Sequence, residues 1–349
     1  MAGRDDIERM DKELIELISR RSEQYIRILK TQNDGNSLAA EDRSRLNALI
    51  EECNQGPLSH EIVKKIYIDI LSGSMTAVAP VTVAFLGPEG TFTAIAVRDL
   101  FGETIMPLPQ RTIQDVFQQV EAGAARYGVV PIENSTEGSV TYTLDELVET
   151  SLTIISEQYV RITYSLLSRS KSLTSVQKIY THPQTLGQCK GWLRTNLPNA
   201  ETISVESTSR AAEIASQEEG SAAISSGLAA EIYGLNTLAT MIEDSRQNYT
   251  RFFLLGKKVG PPTGNDKTSI VCAVKDRPGA LLKLLKPFSD AGINMTKIES
   301  RPDKKKIWEY NFFIDFFGHM DDTIVRKALD RIKSETLFLK ILGSYPVGT

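Results

Sequence analysis

Five stretches of the sequence set hydroxyl, amide or guanidinium side chains beside glycine, proline or aromatic residues in patterns that could bind a small polar molecule. They are Gly87-Pro88-Glu89-Gly90-Thr91-Phe92-Thr93, Ile132-Glu133-Asn134-Ser135-Thr136-Glu137-Gly138, Thr181-His182-Pro183-Gln184, Glu206-Ser207-Thr208-Ser209-Arg210 and Asn248-Tyr249-Thr250-Arg251-Phe252. The first three follow short apolar runs, at 81–86, 127–131 and 178–180, that read as buried strands. Open α/β sheets place their ligand-binding groups beyond the carboxyl ends of strands, where these residues fall. One such junction alone is ordinary turn chemistry; five in one region point to a cleft. None matches the GxGxxG turn or the GxxxxGK[ST] loop, so the sequence gives no support to nicotinamide, flavin or ATP chemistry. His60, His182 and His319 lie far apart, as do Cys53, Cys189 and Cys272, with no CxxC pair. Neither a metal centre, nor another cofactor, nor a disulfide framework is expected.

These junctions need elements to hold them. At roughly 100–200 residues per domain, 349 residues make two or three domains. The 40 basic and 44 acidic residues give a net charge of −4, which offers no positive field to nucleic acid or an anionic membrane. The charged N-terminus lacks the apolar core of a signal peptide, and no run of 18 apolar residues occurs, so a cytoplasmic, reducing location is expected.

In the first 32 residues Ile7, Met10, Leu14, Leu17, Ile18, Tyr25, Ile28 and Leu29 follow helical spacing. A helix of about 28 residues spans about 42 Å, too long for a small monomeric bundle, so pairing with a second chain is expected, as a homodimer or homotetramer. Turn residues at 33–37 precede a second helix over 38–52, and Ser59 caps a third over 59–71. Small residues ending in proline make 72–80 a candidate linker, and α/β grammar follows from Val81. A second linker, 256–267, leads to a module in the order strand (268–274), helix (278–291), strand (293–299), strand (307–317), helix (321–334), strand (337–342), which predicts a ferredoxin-like split βαβ.

Gly87-Pro-Glu-Gly-Thr-Phe92, Pro131-Ile-Glu-Asn-Ser135, His182-Pro-Gln184 with Gln188-Cys189, Ser207-Thr208-Ser209 and Thr250-Arg251-Phe252 occur in the order of the prephenate dehydratase motifs. The central and C-terminal regions resemble that family, and the whole chain resembles the bifunctional chorismate mutase/prephenate dehydratases. The resemblance implies a multidomain fold: an all-α mutase-like domain over 1–76, a two-lobed, periplasmic-binding-protein-like α/β catalytic domain over 80–258, and an α+β ferredoxin-like ACT domain over 268–346. It implies a cofactor-free conversion of prephenate to phenylpyruvate in phenylalanine biosynthesis, with loss of water and CO₂. Such a reaction needs a donor at the leaving hydroxyl, and amide and cationic donors for two carboxylates. By resemblance Thr250 is the donor to the leaving oxygen. Arg251 offers a planar fork to a carboxylate, against the plainer reading of a salt bridge. Asn134, Ser135, Thr91, Gln184 and Gln188 orient the substrate, Thr181 keeps a hydroxyl where the family often has serine, and Phe252 reads as core packing.

Pro278-Gly-Ala-Leu-Leu282 and Glu299-Ser-Arg-Pro302 resemble the two phenylalanine-binding motifs of ACT domains. They imply an effector site formed by Gly279, Ala280, Leu281, Leu282, Asn294, Glu299, Ser300, Arg301 and Pro302, and feedback inhibition by L-phenylalanine across a dimer. In the helical region Arg4, Arg21 and Arg43 match the arginines with which all-helical mutases hold chorismate. The two ether-oxygen donors fall instead at Gln32 and Val78, and the acidic hydroxyl ligand at Ser44. Valine cannot donate a hydrogen bond, so poor mutase catalysis is expected. Two other readings stay open: an arogenate dehydratase, and a non-catalytic amino-acid sensor, against which Thr250-Arg251-Phe252 argues.

Overall fold

The computed structural model describes residues 2–31, 38–274, 277–302 and 310–348. Three helices come first: α1 (Ala2–Thr31), α2 (Leu38–Cys53) and α3 (His60–Thr76). Ser59 caps α3 by accepting a hydrogen bond from the Ile62 amide at 3.3 Å. The expected linker at 72–80 is helical as far as Thr76, because Ser72, Ser74 and Met75 are buried where α3 packs on the next helix. Small side chains serve close approach there, not flexibility. Tyr25, Leu29, Leu46, Ile50, Leu71 and Met75 share one core with Val97, Leu100 and Phe101 of the α/β region, so the arm is packed onto its neighbour. The first half of α1 stands clear: Ile7, Met10, Leu14 and Leu17 are each more than half exposed.

The α/β region folds as two lobes. The first contains β1 (Thr82–Leu86), α4 (Phe92–Phe101), β2 (Met106–Gln110), α5 (Ile113–Glu121), β3 (Tyr127–Asn134), β4 (Gly138–Ser139), α6 (Thr141–Glu149) and β5 (Thr153–Arg161). The chain then builds the second lobe from β6 (Ser165–Ser168), β7 (Lys178–Thr181), α7 (Pro183–Gln188), α8 (Lys190–Asn196), β8 (Glu201–Ser204), α9 (Thr208–Ala215), β9 (Ser221–Ser225), α10 (Gly227–Tyr233) and β10 (Asn236–Thr240). It returns to the first lobe as β11 (Tyr249–Gly256). The first sheet has the order β2-β1-β3-β11-β5, with β4 beside β3, and the second β10-β6-β9-β7-β8. The two crossing segments bond to each other, Ile162 N to Asn248 O at 2.8 Å and Ile242 N to Tyr164 O at 3.1 Å.

The third layer holds β12 (Asp266–Ala273), α11 (Ala280–Asp290), β13 (Met295–Pro302), β14 (Tyr310–Phe317), α12 (Thr323–Glu335) and β15 (Phe338–Pro346). Its sheet, β13-β14-β12-β15, is antiparallel throughout. The βαββαβ order read from the sequence is present.

Strand β11 explains how the layers join. It lies between β3 and β5 and is buried from Thr250 onward, as its apolar run requires. Because side chains alternate along a strand, Phe252 and Leu254 enter the core shared with α4 and the helical arm. Phe253 and Leu255 enter a second core with Val271, Phe313, Leu342 and Tyr345 of the third layer.

Candidate active site

Asn134, the last residue of β3, and Thr250, near the start of β11, are cross-strand partners. Asn134 Nδ2 donates to Thr250 Oγ1 at 2.8 Å and to Asn248 Oδ1 at 2.8 Å, which uses both amide protons. Its Oδ1 accepts from Thr136 N at 3.0 Å, Thr136 Oγ1 at 2.6 Å and Glu137 N at 3.1 Å. Three donors on one oxygen fix the orientation of the amide. Thr250 Oγ1 therefore accepts a hydrogen bond from Asn134, and its own proton must point elsewhere.

The polar chain continues across the lobes. Asn248 Nδ2 donates to Gln188 Oε1 at 3.1 Å, and Gln188 Nε2 to Glu137 Oε1 at 3.4 Å. Gln188 ends α7 of the second lobe, so Thr250, Asn134, Asn248, Gln188 and Glu137 form one network spanning the cleft. Ser135 locks the loop beneath it: its hydroxyl donates to Gln247 O at 3.1 Å and accepts from Tyr249 N at 3.0 Å. Sequence reasoning missed Asn248, Thr136 and Glu137 as site residues. The signal for Asn248 was available, because it stands two residues from Thr250 and so on the same strand face.

The remaining expected residues line the junctions with less direct contact. Thr91 caps α4, accepting from Ala94 N at 3.4 Å. Thr181 is fully buried at the end of β7, its hydroxyl 3.4 Å from Ile224 O. Gln184 is exposed in the first turn of α7. The lobes touch where Ser226 Oγ donates to Gly90 O at 2.6 Å and Ser209 Oγ to Glu89 O. Gly90 has φ of +84°, and a Cβ there would come 3.0 Å from Ser209 Oγ, so this approach requires glycine. Among the described residues, no group of three His, Cys, Asp or Glu side chains is arranged to hold a metal ion.

Arg251 corrects the sequence reading. It follows Thr250 on the strand, so its side chain leaves the opposite face, away from the Thr250–Asn134 pair. There Nε meets Glu157 Oε2 at 2.7 Å, Nη1 meets Asp315 Oδ2 at 2.6 Å and Nη2 donates to Tyr345 OH at 3.0 Å. Burial alone would lower its pKa, but Tyr345, Asp315 and Glu157 more than offset this, and the pKa is raised. The guanidinium joins the third layer to the first lobe instead of facing a substrate carboxylate. Phe252, 2% exposed, is core.

Alternation also divides the expected effector residues. Lys297, Glu299 and Arg301 of β13 turn toward the first lobe: Lys297 Nζ lies 2.8 Å from Glu133 Oε2, Glu299 accepts from Ser139 Oγ, and Arg301 Nη2 reaches Asp145 at 3.0 and 3.2 Å. Ser300 and Pro302 lie on the opposite, exposed face with Ile298. Glu299 and Arg301 are thus held by the neighbouring lobe. Gly279, with φ of +79°, starts α11, where Ala280 is half-buried and Leu281 and Leu282 are 41% and 72% exposed. Asn294 is exposed just before β13, and its carbonyl accepts from Phe317 N at 3.0 Å.

In the helical arm the three arginines are not brought together. Arg4 is exposed, and the 17 residues separating it from Arg21 on α1 span about 26 Å. Arg21 lies over the Tyr25 ring at 5.5 Å. Arg43 lies over the Phe101 ring at 5.0 Å, and its Nη1 donates to Leu100 O at 2.9 Å. Burial lowers the Arg43 pKa to about 10. On one side of Arg43, the space bounded by Tyr25, Leu71, Met75 and Phe101 is about 10 Å³, near the minimum for one water; on another, Arg43 lines a cavity of about 300 Å³ with Asn47, Glu51, Lys64 and Gln158. Val78 follows the end of α3; Gln32 and the Ser44 side chain lie outside the described residues.

Residues 83–259 match the family model "Prephenate dehydratase", and 268–334 match "ACT domain". The chain is 44% identical to a bifunctional chorismate mutase/prephenate dehydratase of Aquifex aeolicus, over 98% of this chain and 96% of that one. The structure of an Arthrobacter aurescens prephenate dehydratase in complex with L-Phe superposes with a TM-score of 0.71 at 37% identity, covering 76% of this chain and 90% of that one. GqqA, described as a novel type of quorum quenching acylase, superposes equally well at 29% identity, covering 76% and 98%. One fold carries more than one activity, so the site residues must carry the functional argument.

Proposed function

The chain belongs to the bifunctional chorismate mutase/prephenate dehydratase family, and we propose that its interlobe cleft converts prephenate to phenylpyruvate with Thr250 as donor to the leaving hydroxyl. The observation that carries this assignment is the 2.8 Å bond from Asn134 to Thr250 Oγ1. Prephenate loses its ring carboxyl as CO₂; the electrons of that C–C bond enter the ring as the C–O bond at the opposite carbon breaks. The departing hydroxide takes up a proton from solvent and leaves as water. A threonine hydroxyl is too weak an acid to release a free proton, but as an oriented donor it stabilises the developing hydroxide where it forms. Asn134 contributes by occupying the Thr250 lone pair and so aiming the remaining O–H. With Arg251 engaged elsewhere, the second amide proton of Gln188, the exposed amide of Gln184 and the hydroxyl of Thr91 are the donors proposed for the substrate's carboxylates.

The ACT layer makes this a phenylalanine-regulated enzyme. The exposed apolar side chains of Leu281, Leu282 and Ile298 suit an aromatic amino acid held between two copies of the chain. A second copy also suits α1, whose exposed Ile7, Met10, Leu14 and Leu17 repeat at intervals of three, four and three residues, the seam of a helix pair. It would further bring a second Arg4 toward the Arg21–Arg43 end of the arm. Three free cysteines fit a reducing cytoplasm, and no described helix is long and apolar enough to cross a membrane.

Purified protein given prephenate, arogenate or chorismate separately, with and without phenylalanine, tests these assignments. Phenylpyruvate formed from prephenate and suppressed by phenylalanine is expected. Turnover of arogenate alone would reassign the substrate, and turnover of none would leave a sensor. Light scattering of the wild type and Leu14→Glu checks the helix seam, which predicts a smaller assembly for the variant.

A further inference from the structure

The Thr250–Asn134 pair is backed, one residue along on each strand, by Arg251 and Glu133, which are also cross-strand partners. In the ACT sheet, Lys297 of β13 and Asp315 of β14 are cross-strand partners of opposite charge. The two pairs meet crosswise: Lys297 Nζ lies 2.8 Å from Glu133 Oε2, and Asp315 Oδ2 2.6 Å from Arg251 Nη1. We infer that Lys297 and Asp315, although outside the catalytic lobes, are positioning residues for the dehydration, holding Asn134 against Thr250 from behind.

The ladder itself explains why the pair needs such support. The register of β3 against β11 shifts between Arg251 and Phe252, leaving Ile132 as an extra residue on β3. The end of the strand pair that carries Asn134 and Thr250 is therefore separated by a bulge from the ladder that would otherwise fix its spacing. On one side Arg251 is tied to Glu157 of β5 and to Asp315, with Ser269 Oγ donating to Asp315 at 2.6 Å. On the other, Lys297 Nζ also donates to Ser139 Oγ at 2.8 Å, and Ser139 pairs with Glu133 across β4. A shift of β13 against β14 would pull Glu133 relative to Arg251, and Asn134 with it. The opposite face of β13, with Ile298 and Ser300, is the exposed one, so a ligand there would act on the strand that carries Lys297.

This inference rests on Thr250 being the donor, so the test treats both in the full chain. Lys297→Met should lower kcat roughly 10- to 100-fold, the cost of a small misplacement of reacting groups, with KM for prephenate little changed. Lys297→Arg should stay close to wild type. The exchanged pair Lys297→Glu with Glu133→Lys should recover most of the kcat lost in Lys297→Glu alone. Wild-type kcat in Lys297→Met, or a folded exchange variant with no recovery, overturns the positioning role. Should Lys297→Met fail to fold, the exchange variant decides in the same two directions. Normal turnover by Thr250→Ala would remove the donor assignment itself; an inactive Thr250→Ala beside a normal Lys297→Met would remove only the inference about Lys297.

Discussion

Thr250 and Arg251 are adjacent in sequence and point to opposite faces of β11, the first to Asn134 in the cleft and the second to Glu157 and Asp315 in the join to the ACT layer. One motif therefore serves two tasks, and substitutions within it separate them.

Replacing Thr250 by Ala removes the oriented donor without opening a large cavity. Turnover of prephenate should fall by roughly 10²- to 10⁴-fold while circular dichroism and the thermal midpoint stay near wild type. Thr250→Ser, which keeps the hydroxyl, should retain much of the rate. Turnover of Thr250→Ala close to normal would refute the assignment.

Arg251→Met should act on stability first. Its side chain is 6% exposed, and removal leaves Glu157 and Asp315 buried with less compensation. Breaking a buried ion pair from one side costs about 3–5 kcal/mol, visible as a lower urea midpoint. A variant as stable as wild type that loses only substrate affinity would restore the carboxylate-fork reading.

Chorismate should not be turned over at a useful rate. The Arg43 guanidinium is committed to the Phe101 ring and to Leu100 O, and valine stands at 78, where an ether-oxygen donor is needed. Phenylpyruvate from chorismate should appear only after a separate chorismate mutase is added. Efficient chorismate turnover by this chain alone would contradict that reading of Arg43 and of Val78.

Alkaline pH should unfold the protein through its buried tyrosines. Burial raises the Tyr164 pKa from 10.0 to about 12, and burial also raises Tyr127 and Tyr345. A folded pKa above the unfolded one gives stability that is fully present below pH 10 and lost as pH rises toward about 12. Urea midpoints should be flat below pH 10 and fall above it, with the phenolate absorbance of the buried tyrosines appearing only as unfolding proceeds.

Cysteine labelling gives an independent check of packing. Cys53 is exposed, whereas burial pushes the Cys189 and Cys272 thiols up to about 12. Iodoacetamide at mildly alkaline pH should modify one thiol in the native protein and three after denaturation; native labelling of Cys272 would mean that the ACT core opens readily.

Most elements were legible because their signals are local. Helical spacing of apolar residues marks α1, and the apolar run 252–255 marks a buried strand. The turn chemistry at Gly87–Thr93 and Ile132–Gly138 marks the loops of the cleft. The end of α3 was misread because small residues are the signature both of a linker and of a helix packed closely on a neighbour. Asn248 fell within a candidate stretch, but its role as a link was not legible, because it lies in what the side chain touches, Asn134 and Gln188, which are 114 and 60 residues away in the chain.

The sequence by itself determined the family, the order of the elements and which residues are chemically able to act, since these depend on residue type and short-range spacing. Tertiary structure decided which way each side chain faces and what it meets. Alternation along a strand puts Arg251 on the face opposite Thr250 once Thr250 faces the cleft, but only the packing of the third sheet supplies Asp315 and Tyr345 to receive it. The same packing turns Lys297, Glu299 and Arg301 toward the catalytic lobe, while the packing of the helical arm on the first lobe seats Phe101 on Arg43. Those partners come from distant parts of the chain, and the burial and charge that fix their roles arise only when the sheets meet.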